Sequence, residues 1–318
     1  MPTRSRILVT GAAGFIGSHL VRRLLADGYL VRALDDLSTG KMERLGGLLD
    51  RIEFRQADIC DPDVCAWAVE GVEGVLHEAA LPSVARSLED PRSADRVNVG
   101  GTVTLLEACR RAGVRRLVLA GSSSVYGDSA VLPKVETMDP APLSPYAASK
   151  LAAEYYCSVF AHLGYVETVS LRYFNVFGPM QDPASEYAAV IPKFITALLE
   201  GRPVCVHGDG EQSRDFTYIE NVVEANLLAL NSPKANGHAI NIGCGERTTL
   251  LQLIAELERI TGRRASVEHG PPRPGDVPHS LADINKARNL LGYNPKVDLR
   301  QGLQRTVEWF AAGTSVTD

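Results

Sequence analysis

Residues 144–150 read SPYAASK and place a tyrosine and a lysine four positions apart, Tyr146 and Lys150. On a helix such residues share one face, so a phenol and an ammonium would be neighbours. The chemistry open to the pair is proton abstraction. A phenol with its ordinary pKa of about 10 is too weakly acidic to serve as a base at neutral pH, and a nearby cation lowers that value by stabilising the phenolate. The same spacing occurs on any helical face, so alone it decides nothing. Upstream, VLAGSSSVYG (118–127) sets hydroxyls at the end of an apolar run. Ser122 is placed there to hydrogen-bond a reacting hydroxyl, although serines at strand ends also serve simply as turn formers.

A second chemical stretch is TGAAGFIG (10–17), with glycines at Gly11, Gly14 and Gly17. It joins an apolar run, RILVTG (6–11), to a helical one, FIGSHLVRRLLADG (15–28). Glycines in that setting let the backbone turn sharply and approach a pyrophosphate at the positive end of the helix. Eighteen residues beyond Gly17, Asp35 closes the next apolar run, YLVRALDD (29–36). A carboxylate there binds a ribose 2′-hydroxyl and repels a 2′-phosphate, which favours NAD over NADP. The structural alternative is a tight turn with helix-packing glycines. A nicotinamide site changes the meaning of SPYAASK: Tyr146 becomes a base, with Lys150 as its tuner and a holder of the nicotinamide ribose.

These residues must be positioned by elements, and the chain alternates. The apolar runs at 6–11, 29–36, 51–59, 72–80 and 114–124 are separated by helical segments such as 94–113. That rhythm predicts right-handed βαβ crossovers and a doubly wound parallel sheet, an α/β fold of Rossmann type. After residue 178 the pattern is irregular, with a helix around IPKFITALLEG, and from 246 onward it is helical and turn-rich. The predicted division is an NAD-binding domain over 1–175, with 215–243 returning to it, and a smaller second domain from 176–214 and 244–318.

Composition narrows the function classes. The 318 residues are 45% hydrophobic and 22% charged, with a net charge of −5, which gives no general affinity for nucleic acid. The richest basic stretch, CRRAGVRRL with Arg110, Arg111, Arg115 and Arg116, reads as cations at a helix C-terminus before Gly113. The six cysteines (60, 65, 109, 157, 205 and 244) form no metal-type cluster. No metal is expected, and most of the thiols should be buried in a reducing compartment. No apolar stretch has the length of a membrane span or an export-signal core. The expectation is a cytoplasmic protein with no membrane partner.

Taken together, TGAAGFIGSH, Asp35, ADI (57–59), HEAA (77–80), NVGGT (98–102), SSSVYG, SPYAASK and RYFNVFGP (172–179) resemble the extended short-chain dehydrogenase/reductase family, in order from about residue 6 to 310. The closest resemblance is to its UDP-hexose 4-epimerases. It implies a tightly held NAD contacted by the three glycines, Phe15 and Ile16, and by Asp35, Asp36, Leu37, Ser38, Thr39 and Gly40. Further contacts are implied for Asp58, Ile59, Glu78, Ala79, Ala80 and Leu81, and for Asn98, Tyr146, Lys150 and Phe174. For the UDP-sugar it implies Ser122, Tyr146, Asn175, Ala189, Val190, Cys205, Val206 and His207. Arg214 and Arg273 would hold the pyrophosphate, with Asp276 on the uridine ribose and Ser280 beside the sugar. A homodimer through the helices after NVGGT and around Tyr146 is also implied.

Relatives of that family share oxidation at C4 and differ in the next step. The 4,6-dehydratases carry an Asp–Glu acid and base where this chain has Ser123 and Ser124. The decarboxylating members carry Glu at the position of Ser124 and Arg at that of Met180. Epimerisation remains, with another nucleotide-sugar enzyme, a UDP-glucuronate 4-epimerase or a dehydratase, as the alternative. A non-catalytic NAD-binding regulator is a further reading, disfavoured by the intact Ser122, Tyr146 and Lys150. Strict glucose/galactose epimerases of the family carry a large Tyr where this chain has Ser280, so room for an N-acetyl group at C2 is expected.

Overall fold

Seven parallel strands form the central sheet of the computed structural model, which describes residues 5–183, 190–271 and 277–314. The first half of the chain alternates as expected: β1 (Arg6–Thr10), α1 (Phe15–Ala26), β2 (Leu30–Asp35), β3 (Glu53–Gln56), α2 (Pro62–Val69) and β4 (Gly74–His77). Then come α3 (Val84–Glu89), α4 (Pro91–Asp95), α5 (Thr102–Ala112), β5 (Arg116–Ser122), α6 (Pro145–His162) and β6 (Glu167–Tyr173). The second half is more broken, with β7 (Val176–Phe177), α7 (Val190–Glu200), β8 (Val204–His207), β9 (Ser213–Arg214), β10 (Thr217–Tyr218), α8 (Ile219–Asn231) and β11 (His238–Ile242). It closes with β12 (Thr248–Thr249), α9 (Leu250–Thr261), β13 (Val267–Gly270), α10 (Asn285–Leu291) and α11 (Leu299–Thr314).

The order across the sheet is β11-β6-β5-β4-β1-β2-β3. Strand order reverses between β1 and β4, and in such sheets ligands bind in the crevice beyond the strand C-termini at that switch point. Both faces are covered. Ile7 and Val9 point to the side packed by α1 and α8, whereas Leu8 points to the side packed by α2, α5 and α6. Strands buried on two faces read as continuous apolar runs, which is why RILVT carries no alternation. Late in the chain, β11 adds to the sheet edge beside β6. α7 packs on α9 and α11, and β8 pairs in parallel with β13.

Three features depart from the sequence reading. The helix expected over 94–113 is divided: α4, one π-helical turn over Arg96–Gly101, then α5. Gly100 and Gly101 are poor helix formers. Thr102 Oγ1 also donates to the Asn98 carbonyl at 2.6 Å, and a Cβ on Gly101 would meet Ile59 at 2.6 Å. Second, only Arg110 and Arg111 of the basic stretch lie in the last turn of α5. Arg116 is 1% exposed within β5, ion-paired to Glu167 at 2.7 Å. Third, all six cysteines are free, but only Cys65, Cys109 and Cys157 are buried; Cys205 is exposed because β8 turns it away from the core that its neighbours Val204 and Val206 enter.

Candidate active site

At the switch point the glycine loop turns from β1 into α1. Gly11 has φ +65°, and a Cβ there would meet the Ala79 backbone nitrogen at 2.7 Å. A Cβ on Gly17 would run into the Gly11 carbonyl. Both positions therefore accept only glycine without a shift. Gly14 is the N-cap of α1 and supplies no side-chain cap, which leaves the first N–H groups of the helix open to an anion. They face a cleft of about 810 Å³, walled by Gly11 to Gly17 on one side, residues 34–41 on another, and Asp58, Ile59 and residues 78–83 on the third.

Asp35 ends β2 on this cleft. Its Oδ2 accepts from Ala13 N at 2.9 Å and its Oδ1 from Leu37 N at 2.8 Å. Burial pushes its carboxyl up from the usual range, and the two N–H donors oppose that shift. An uncapped helix start, a glycine turn and a strand-end carboxylate around one cleft fit a dinucleotide. The cleft lining holds every expected cofactor contact from Gly11 to Leu81. Asn98, Tyr146, Lys150 and Phe174 are not part of that wall.

Two of those residues take different places. Asn98 is 2% exposed, and its amide is used behind the wall. Oδ1 accepts from Leu81 N at 2.8 Å, and Nδ2 donates to Ser149 Oγ at 2.9 Å. Ser149 Oγ in turn donates to the Tyr146 carbonyl at 2.8 Å. Asn98 thus ties the cleft wall to the helix carrying the tyrosine. The Phe174 ring is fully buried against Val125, Tyr126, Ala282 and Ile284.

Ser144 caps α6, accepting from Ala147 N at 3.1 Å, with Pro145 in the first turn. That start brings the Tyr146 phenol next to the Ser122 hydroxyl at the end of β5. Burial raises the Tyr146 phenol above its ordinary value, and Ser122 opposes the rise. Ser122 Oγ lies 2.8 Å from Ser124 Oγ. One turn below Tyr146, Lys150 Nζ donates to the Ala120 carbonyl at 2.9 Å. Burial pulls its ammonium down to about 8, with Glu78 opposing. The lowering of the Tyr146 pKa by Lys150 that the spacing predicts is not what this arrangement gives: burial raises it instead.

The substrate-side residues also converge. Asn175, with φ +31°, donates from Nδ2 to Ser280 Oγ at 3.0 Å and to the Asp215 carbonyl at 3.2 Å. Arg214 donates to the Pro278 carbonyl at 3.0 Å, and Ser280 N donates to the Ser213 carbonyl at 3.0 Å. Val190 opens α7, the exposed Cys205 and half-buried His207 lie on β8, and Val206 is buried in the core. Ala189, Arg273 and Asp276 lie outside the described residues.

Sequence reasoning passed over several organising residues. Asp215 is 0% exposed, and its carboxylate accepts from Cys244 N, Gly245 N and Ala282 N at 2.8–3.1 Å. Burial still pushes it up to about 6. His77 bridges Thr10 Oγ1 at 2.7 Å and Thr102 Oγ1 at 3.0 Å, and burial holds it neutral, down to about 3. Arg44 reaches across the cleft mouth to the Met180 carbonyl at 3.0 Å, beside a Lys41–Asp182 ion pair at 2.6 Å. The signal for Asp215 and His77 lay in motifs quoted for their neighbours; nothing local marked Arg44.

Known proteins are similar to this chain over nearly all of its length. A UDP-glucose 4-epimerase of Mycolicibacterium smegmatis is 44% identical over 309 residues, spanning 96% of this chain and 98% of that protein. The crystal structure of the UDP-glucose 4-epimerase of Thermotoga maritima with UDP-glucose superposes with a TM-score of 0.93 at 40% identity, covering 97% and 99% of the two chains. A UDP-N-acetylglucosamine 4-epimerase of Methanobrevibacter ruminantium, in complex with UDP-N-acetylmuramic acid, also gives 0.93, at 38% identity over 98% and 99%. Residues 7–243, which hold the glycine loop, Asp35, Ser122, Tyr146 and Lys150, match the NAD dependent epimerase/dehydratase family, and this chain belongs to it.

Proposed function

We propose that the protein is an NAD-dependent 4-epimerase of UDP-hexoses that accepts UDP-N-acetylglucosamine as well as UDP-glucose and their galacto epimers. The observation that supports the reading is that Tyr146 lies next to Ser122 at the end of β5 and Lys150, one turn on, reaches the Ala120 carbonyl of the same strand, with only hydroxyls at Ser123 and Ser124 where elimination would need an acid and a base. NAD bound in the cleft supplies a hydride acceptor for the first half of the reaction and a donor for the second. Tyr146 Oη takes the proton of the sugar 4-hydroxyl, directly or through Ser122 Oγ. Lys150 stabilises the phenolate. The resulting 4-ketopyranose turns about the pyrophosphate link while Arg214 holds the nucleotide, and Tyr146 returns the proton.

Ser280 supports the wider substrate range. Its side chain is small and accepts from the Asn175 amide, whereas a tyrosyl ring there would occupy the space beside the sugar. We also read the protein as a cytoplasmic homodimer; the free thiols and the apolar outer side of α6 support this. Among the described residues no helix is long and apolar enough to cross a membrane.

The test is proton NMR of the anomeric region with purified protein, no added NAD, and UDP-N-acetylglucosamine or UDP-glucose. Interconversion with the galacto forms is expected, and Ser280→Tyr should slow the N-acetyl sugar by tenfold or more, the scale of about 1–3 kcal/mol for a misfitted pocket. A 4-keto or decarboxylated product, or turnover of UDP-glucuronate alone, would overturn the assignment.

A further inference from the structure

Glu78 stands in an unusual place for a carboxylate. β4 ends with His77 beside Leu119 of β5, so Glu78, the first residue past β4, follows alongside Ala120, which is still within β5. Ala120 is the residue whose carbonyl receives the Lys150 ammonium. The carboxylate is aimed by Tyr173, whose Oη donates to Glu78 Oε1 at 2.9 Å; Asn226 Nδ2 donates to that Oη at 2.8 Å. Lys150 is only 6% exposed, and a buried ammonium is costly unless a counter-charge is near. The carboxylate whose field reaches it is Glu78.

We propose that Glu78 is the counter-charge of Lys150, a positioning residue that keeps the ammonium protonated and seated on the Ala120 carbonyl. The proposal rests on the assignment of Tyr146 and Lys150 as base and tuner. The groups facing Glu78 agree with it. From β4, His77 is neutral; from β6, the Tyr173 phenol is held protonated by burial and by Glu78 itself; α8 contributes only the uncharged Asn226. From α6 come Lys150 and Tyr146. Burial lifts Glu78 to about 7, with Tyr173 and Lys150 opposing, so around neutral pH its charge is poised against that of the lysine. With the carboxylate ionised, the ammonium survives to higher pH; without it, the ammonium is lost at lower pH.

The chain has seven lysines, so the 13Cε resonance of Lys150 can be assigned with Lys150→Arg and titrated in the purified protein with its dinucleotide. The expected midpoint moves down by roughly one pH unit in Glu78→Gln, a tenfold change in ionisation constant, and the alkaline limb of kcat/KM moves with it. Tyr173→Phe keeps the carboxyl but removes the hydrogen bond that favours its charge, so it should move the midpoint the same way by less. An unmoved Lys150 midpoint in Glu78→Gln overturns the proposal. Should that variant not fold, a wild-type midpoint in Tyr173→Phe overturns it. A moved midpoint in a protein that turns over no UDP-sugar would keep the counter-charge and remove the epimerase reading instead.

Discussion

At Tyr146 two effects compete: burial favours the neutral phenol, and the Ser122 hydroxyl favours the phenolate. Burial wins, so the base needs nearby positive charges to favour its phenolate. Lys150 is one, and it too is weakened by burial. Both groups are therefore poised by their surroundings, as pKa-tuned pairs in active sites are. Tyr146→Phe removes only the ionisable oxygen and leaves the cleft wall untouched. Its kcat should fall at least about a hundredfold, the scale of general-base catalysis, while the ultraviolet spectrum of the purified protein still reports bound dinucleotide. A rate near wild type would remove Tyr146 from the chemistry.

At the scale of elements, the site is held by side chains that never touch the cleft. The π-helical turn before α5 exposes the Asn98 amide to two directions at once, the Leu81 backbone and Ser149 on α6. A regular helix would have moved one of these contacts out of reach, and π-turns recur at functional sites. Asn98→Ala leaves the buried Leu81 N–H unpaired, which should cost about 1–3 kcal/mol in urea unfolding. It should also lower kcat by loosening the seat of Tyr146. Unchanged stability would show that the Leu81 N–H finds another partner.

At the scale of the molecule, the sheet supplies the chemistry and the later chain closes over it. His19 meets the Pro179 carbonyl at 3.1 Å and Arg44 meets that of Met180, so α1 and the segment after β2 are joined to the start of the substrate-side segment at the cleft mouth. The opposite flank carries an apolar stripe on α6 and its C-cap, with Tyr155, Val159 and Leu163 each more than half exposed. Residues four apart form one stripe, and burying it in a second copy is what a homodimer would do. Sedimentation should give a dimer for the wild type and a monomer for Val159→Arg, with dinucleotide retained in both. A monomeric wild type would leave the stripe without that role.

The glycine spacing, the strand-end Asp35, and the Tyr146 and Lys150 pair are local patterns, each lying within one turn or one strand-to-helix junction, so the sequence by itself determined the α/β fold class and the dinucleotide cleft. Short-range chemistry leaves a short-range signature. The roles of Asn98, Asp215, Glu78 and Arg116 were decided only by the tertiary structure. Asn98 acts on Leu81 and Ser149, Asp215 on Cys244, Gly245 and Ala282, Glu78 on Lys150 through strand register, and Arg116 on Glu167. Their partners lie 17 to 72 residues away in the chain, and no composition or spacing within a window reports which distant carbonyl, amide or ammonium a buried polar group will meet. The protonation states divide in the same way, because desolvation depends on what the whole fold places around a group.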